Sequence, residues 1–203
     1  ITQKISLNPV LHAFQLIVNE YQIERELIDA FLHSMEMDLT PQDYTGSLYE
    51  EYIYGSAEVV GLMCLRVFCE GDMAMYDHLK EGARRLGAAF QKVNFLRDLK
   101  SDFMERGRVY FPEVDFKLFS KEAKCHIEAD IQADFDAANL AIQQLPRSAR
   151  MGVHLAYVYY LTLFNKIKDT PAARIQEERI RVPDFQKMTL LAKTYLQFTL
   201  SRG

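Results

Sequence analysis

The densest run of chemistry-bearing residues in this sequence is Gln91-Lys-Val-Asn94-Phe-Leu-Arg97-Asp98-Leu-Lys-Ser-Asp102. At about 100° per residue, Gln91, Asn94, Asp98 and Asp102 fall within a sector of roughly 80° on a helix. Phe90, Val93, Leu96 and Leu99 interleave on the other side, so the pattern predicts a polar ribbon with an apolar back. Two carboxylates and a carboxamide, one helical turn apart, present hard oxygen ligands in a row. Magnesium takes one or two carboxylates, keeps several waters and completes its shell with phosphate oxygens. Asp98, Asp102 and Asn94 therefore suit a site that grips a diphosphate through metal ions, with Arg97 and Lys92 placed to neutralise phosphate charge directly. Spacing alone is weak evidence, because a solvated helix face produces the same pattern. Asp130 and Asp134 repeat it, with Glu128 and Asp136 nearby, and that segment reads as an ordinary exposed helix.

The elements that must position this ribbon are helices. Asn8-Pro9 opens the first in an N-cap then N1 arrangement, running through Val10, Phe14, Ile17 and Val18. A second spans 24–37, with Leu27, Ile28, Phe31, Leu32 and Met35 as its apolar stripe, and Thr40-Pro41 breaks it. Long helices are predicted over 48–68 and 75–103, the latter carrying the ribbon, and 107–114 is an irregular link. Ser120 caps a helix reaching about residue 145, Pro146 stops it, another follows over 148–167, and Pro183 opens a last one to 200. No segment alternates in the manner of a strand. The expectation is an all-α helical bundle forming one domain over 1–203.

Bulk properties narrow the function classes. A chain of 203 residues, 49% hydrophobic, is long enough for one well-filled core. A net charge of −4 argues against a nucleic-acid surface, which needs a clustered basic excess. Cys64, Cys69 and Cys125 have no metal-type spacing and read as buried free thiols, which fits a reducing cytoplasm. No run reaches the roughly 18 apolar residues needed to span a bilayer. The chain opens Ile-Thr-Gln-Lys-Ile-Ser without Met or a signal-type pattern, which points to a segment removed from the front.

Two longer motifs carry a resemblance. Gly87-Ala-Ala-Phe-Gln-Lys-Val-Asn-Phe-Leu-Arg-Asp-Leu-Lys-Ser-Asp102, followed by Arg106-Gly-Arg-Val-Tyr-Phe-Pro112, resembles the second aspartate-rich motif of the squalene/phytoene synthase family. Tyr52-Ile-Tyr-Gly-Ser-Ala-Glu-Val-Val-Gly-Leu-Met63 resembles the family's tyrosine-rich signature. Asn8-Pro-Val-Leu-His-Ala-Phe14, Ser34-Met-Glu-Met-Asp-Leu39 and the stretch 156–167 also fit, so the likeness runs in order along nearly the whole chain.

The resemblance implies an isoprenoid synthase-type bundle and a magnesium-dependent prenyltransferase (manganese being the alternative metal) that joins two allylic diphosphates head to head. Carried over by motif position, Asn94, Asp98 and Asp102 would be metal ligands, and Gln91, Arg97, Tyr160 and Arg108 would contact the diphosphate. Tyr52 would steady the cation or its departing group. Of Tyr157, Tyr159 and Tyr160, at least one is expected to pack in the core. Arg106, Arg108 and Tyr110 would close over phosphates or cap the metal helix; Arg179 and Lys187 lie where the family carries basic residues before the last helix. Val59, Val60, Leu62, Met63 and Phe68 would line core or tunnel. Many members read Ala-Gly-Thr-Val-Gly where this chain has Ala57-Glu58-Val59-Val60-Gly61, so Glu58 is either a core ion-pair member or an acid near the diphosphate. The family's first motif, Asp-x-x-x-Asp, has no counterpart before Tyr52. The expectation is an N-terminally incomplete domain that does not turn over alone.

Within the family the pattern is most similar to bacterial phytoene synthases, which condense two geranylgeranyl diphosphates through prephytoene diphosphate in carotenoid biosynthesis. The alternatives are a squalene or dehydrosqualene synthase acting on farnesyl diphosphate, with NADPH needed only for squalene, and a non-catalytic assembly or interaction relative. Partners are then isoprenoid diphosphates rather than nucleic acid. Substrates this apolar favour peripheral membrane contact from the cytoplasm, although no strongly basic amphipathic helix announces it. The sequence carries no signal for oligomeric state.

Overall fold

Side-chain caps mark the starts of two helices, at Asn8 and at Ser120. Asn8 Oδ1 accepts from the backbone N–H groups of Val10 and Leu11 at 2.9 and 3.2 Å, and Pro9 needs no partner at the first helical position. Ser120 Oγ accepts from Ala123 N–H at 3.1 Å in the same way. The structure, a computed structural model, describes residues 5–40, 44–106, 110–112 and 119–200, with the side chains of 105 and 106 excepted. Among the described residues the order is α1 (Pro9–Glu20), α2 (Arg25–Met37), α3 (Gly46–Ile53), a π-helical segment (Tyr54–Glu58) and α4 (Val59–Phe68). There follow α5 (Met73–Arg106), α6 (Lys121–Ile142), α7 (Arg147–Lys168), the short α8 (Ala172–Ile175) and α9 (Asp184–Leu200). No strand occurs among the described residues, as the all-α expectation required.

Two elements differ from the sequence expectation. The 48–68 helix is interrupted by the π-helical segment, and α8 has too few residues to show a period. The π-helical turn lies where the chain packs closely on α2. A Cβ on Gly55 would lie 2.4 Å from the Ala30 carbonyl oxygen and 2.1 Å from Ser34 Oγ, so only glycine lets this segment press on α2. The Tyr52 carbonyl accepts from Ser56 Oγ at 2.6 Å and Ser34 Oγ at 3.4 Å.

Helix α5 runs for 34 residues through the middle of the molecule, against α6 and α7 on one side and α4 with the π-helical segment on the other. Val93, Leu96 and Leu99 on its apolar back are buried among Ile131, Phe135, Phe164 and Ile167. Each such side chain contributes about 1.5–3 kcal/mol of burial free energy, which fixes the rotation of α5 and so the direction of its polar face. Its N-terminal half packs Tyr76 and Leu79 with Val18, Leu27, Ile28, Val59, Leu62 and Leu65. Val10, Phe14 and Ile17 of α1 are exposed, as is Leu32 of α2. Of the three thiols only Cys69 is buried; Cys64 and Cys125 are exposed, which corrects the expectation for those two. No helix among the described residues is long and apolar enough to cross a membrane.

Candidate functional site

The polar ribbon of α5 meets a different partner at each turn. Gln91 Nε2 donates to Ser56 Oγ at 3.3 Å, which ties it to the π-helical segment. Asn94 Oδ1 accepts from the Tyr160 hydroxyl of α7 at 3.4 Å. Asp98 is bracketed by two guanidinium groups: Arg97 Nε donates to both of its oxygens at 3.1 and 3.2 Å, and Arg179 Nε lies 2.6 Å from Oδ1. Asp102, one turn further, is buried and shares a cleft of about 620 Å³ with Asp98, Arg97, Arg179 and Arg181. The bond to Asp98 holds the Arg97 guanidinium above its ordinary range.

The donor set fits magnesium. Asp98 and Asp102 open on the same cleft and Asn94 offers a neutral oxygen a turn away. The cations already seated on Asp98 mark the field a metal would meet there. Among the described residues no group of three or more His, Cys, Asp or Glu is gathered for a metal. A two-carboxylate ribbon suits magnesium that takes its other ligands from phosphate and water.

Beside the ribbon lies an apolar groove of about 490 Å³ between α4, α5, α6 and α7, lined by Val60, Phe68, Gly87, Phe90, Ala138 and Ala156 among others. Phe90 joins the two regions, because its ring stacks on Tyr160 at 4.0 Å while the Tyr160 hydroxyl reaches Asn94. A Cβ on Gly87 would lie 2.5 Å from the Ala57 carbonyl oxygen, so this glycine sets how closely α5 approaches the π-helical segment.

Several predicted residues lie elsewhere. The Tyr52 hydroxyl donates to the Asp38 carboxylate at 3.1 Å, and its ring stacks on Tyr110 at 5.5 Å in a buried aromatic cluster with Tyr44 and Phe95. Burial, then Tyr110 and Asp38, push this phenol above its ordinary range, so it stays protonated. Tyr52 is linked to the ribbon through its backbone carbonyl and Ser56, which meets Gln91. Arg108 lies outside the described residues, as does the Arg106 side chain. Tyr110 packs in the core, 4.0 Å from Phe95. Tyr157 is buried against Phe135, Tyr159 lines a second polar cavity, and Tyr160 alone of the three reaches the ribbon.

Two readings of charge are corrected. Lys92 is not turned to a phosphate: its Nζ lies 2.6 Å from Asp130 and 2.7 Å from Asp134 on α6. Asp134 is not an exposed helix residue, because it is fully buried and also binds Arg85 at 3.0 Å. Burial opposes the charge on Lys92, yet the two carboxylates hold it above the ordinary lysine range. Glu58 is an ion-pair member, bound to Arg84 at 2.7 Å. Val60 and Phe68 line the groove, whereas Val59 and Leu62 are core. Sequence reasoning left the parts of Ser56 and Arg179 unassigned. The only local signal for Ser56 was its place beside the Tyr-Gly pair.

Residues 2–186 match the family described as Squalene/phytoene synthase. The chain is similar to phytoene synthase 3, chloroplastic, of Zea mays, 26% identical over 199 residues (89% of this chain, 46% of that protein). It is also similar to 4,4'-diapophytoene synthase of Staphylococcus haemolyticus, 25% identical over 126 residues (62% of this chain, 43% of that protein). It thus spans less than half the length of these curated relatives. In fold it is similar to a crystal structure of a dehydrosqualene synthase in complex with ligand. That match has a TM-score of 0.77 at 20% identity, covering 97% of this chain and 74% of the other. Squalene synthase HpnC from Alicyclobacillus acidocaldarius gives a TM-score of 0.69 at 18% identity, covering 81% and 66%. The helical architecture, the two ordered motifs and the match over 2–186 agree: the chain belongs to the squalene/phytoene synthase family.

Proposed function

We propose that this chain contributes the second aspartate-rich wall of a phytoene synthase, which condenses two geranylgeranyl diphosphates head to head through prephytoene diphosphate. The observation that carries this reading is the continuity between Asp102, Asp98 and Asn94 on one side and the Phe90-lined groove on the other, through the Tyr160 hydroxyl. A diphosphate at the ribbon would leave its isoprenoid tail beside apolar walls.

In this proposal Asn94, Asp98 and Asp102 hold magnesium, or manganese in its place. The bound ion would supply Lewis-acid charge neutralisation of a departing diphosphate. Arg97 and Arg179 exchange Asp98 for phosphate oxygens, to which guanidinium groups donate in pairs. Gln91 and Tyr160 orient the diphosphate through their amide and hydroxyl, and Arg108 is assigned to the same phosphate set from its motif position. The ring faces of Phe90 and Tyr160 turned away from their mutual stack would offer negative quadrupole to an allylic cation. Tyr52 acts through Asp38 and Ser56, fixing the π-helical segment under Gln91.

A C30 reading is the alternative, favoured by the likeness to the Staphylococcus 4,4'-diapophytoene synthase; it would use farnesyl diphosphate, and NADPH only if squalene is made. The proposed location is the cytoplasm, with peripheral membrane contact for loading apolar substrates. The test is product analysis of the natural protein that carries this chain, given geranylgeranyl or farnesyl diphosphate and magnesium, with and without NADPH. A C40 product formed without reductant is expected. A C30 product formed only with NADPH would move the assignment to squalene synthase, and no product from either substrate would favour a non-catalytic relative.

A further inference from the structure

The segment 176–183 joins α8 to α9 beside the Asp98 cleft, and its residues alternate. Ile180 packs against the core and Val182 is buried in it, while their neighbours Arg179 and Arg181 line the cleft. Helix α5 holds this segment at two points. Lys100 Nζ donates to the Glu177 carbonyl at 2.7 Å, and Arg179 Nε lies 2.6 Å from Asp98 Oδ1. The backbone anchors at Glu177, Ile180 and Val182 do not involve the Arg179 side chain, which is 48% exposed and can turn without moving the chain. Asp98 thus carries two claims. It is one of three oxygen-bearing side chains suited to a metal, and both guanidinium groups that would take phosphate oxygens are seated on it.

We infer that Arg97, Asp98 and Arg179 form a latch in which the metal carboxylate and the phosphate cations mask one another, so that divalent metal and diphosphate bind in concert. Its two ligands are those of the proposed function, on which the latch rests. A metal ion arriving alone meets a carboxylate already neutralised and must settle between two like charges. A diphosphate arriving alone must draw both guanidinium groups away and leave Asp98 facing its own negative charge. Arriving together, the two exchange partners with the triad. Asp98 passes to the metal, Arg97 and Arg179 pass to phosphate, and no charge is left unpaired. Such a coupling is reciprocal: diphosphate tightens the metal by the same factor as metal tightens diphosphate. Arg179 is the movable half, since Arg97 is the residue next to Asp98 on α5 and only 21% exposed.

The test approaches the latch from both sides in the natural protein that carries this chain, with variants whose helical circular dichroism matches wild type. Manganese binding is followed by electron paramagnetic resonance without and with pyrophosphate, and pyrophosphate binding in EDTA by isothermal titration. In wild type, pyrophosphate is expected to tighten manganese by about 10-fold or more. Arg179→Gln should bind manganese alone about 3-fold or more tighter than wild type, yet no tighter once pyrophosphate is present, so that the coupling shrinks. Arg181→Gln removes the same charge from the same cleft without opening the triad, and should leave the coupling in place. Asp98→Asn should bind pyrophosphate in EDTA about 3-fold or more tighter than wild type, an effect that Glu177→Gln, another carboxylate of the cleft, should not reproduce. If Arg179→Gln binds manganese no tighter than Arg181→Gln does, or Asp98→Asn binds pyrophosphate no tighter than Glu177→Gln does, the latch is overturned while the proposed metal site stands. Absence of manganese binding by wild type in pyrophosphate would count against the proposed function, and the comparison in EDTA would then decide the latch by itself.

Discussion

Replacing Lys92 with methionine probes the charge cluster that joins α5 to α6. Asp134 is fully buried; its Oδ1 faces Arg85 at 3.0 Å and its Oδ2 faces Lys92 at 2.7 Å. Breaking a buried ion pair by deleting one partner costs about 3–5 kcal/mol, because the remaining charge keeps its desolvation penalty. Arg85 survives in Lys92→Met, but it is half exposed and shared with Glu81 at 2.8 Å, so the low end, about 3 kcal/mol, applies. For a chain of this size that lowers Tm by about 6–12 °C. Two controls use the same geometry. Asp130→Asn removes the partner that is 52% exposed and should cost less than about 1 kcal/mol. Lys92→Met/Asp134→Leu removes both buried charges and should recover most of the loss. Urea unfolding followed by circular dichroism reads all three. A Lys92→Met midpoint equal to wild type, or a double variant no more stable than the single, would refute the claim that this buried pair locks the two helices.

Other expectations follow from single contacts. Gly87→Ala should cost about 1–3 kcal/mol, because the new methyl would meet the Ala57 carbonyl; an unchanged unfolding midpoint would show that the contact is soft. Ser120→Ala removes the side-chain cap of α6 and should cost about 1 kcal/mol by the same assay, with no change counting against the cap. Burial holds the His154 imidazole below its ordinary range, so between that lowered value and about pH 6.5 the unfolded chain binds more protons. Stability should therefore decline as pH falls through this window and be indifferent to His154 above it. His154→Gln should flatten that part of the slope, and an unaltered slope would remove His154 from the account.

Much of this arrangement was legible in the sequence, for reasons that particular residues make plain. Asn8-Pro9, Ser120, Pro146 and Pro183 marked helix boundaries because capping and proline geometry are local. The ribbon was legible because Val93, Leu96 and Leu99 had to face inward, which left Asn94, Asp98 and Asp102 one direction to point. Partners were not legible. Periodicity told which face Asp134 occupies but not that Lys92 and Arg85 cover it, since that pairing depends on how α5 and α6 meet. Arg179 lies 81 positions from Asp98 and reaches it only once α7 and α8 have turned the chain back. The π-helical turn at Tyr54–Glu58 was hidden for a similar reason, since Gly55 takes its meaning from the nearness of Ala30 and Ser34.

The central claim is that the Asn94–Asp98–Asp102 face of α5 holds divalent metal together with diphosphate. It is tested most directly by electron paramagnetic resonance of manganese titrated into the chain with saturating pyrophosphate. Protein-bound manganese is expected in the wild type and is expected to be lost in Asp98→Asn/Asp102→Asn, with the helical circular dichroism of the two proteins superimposable. Manganese binding by that variant equal to wild type would contradict it.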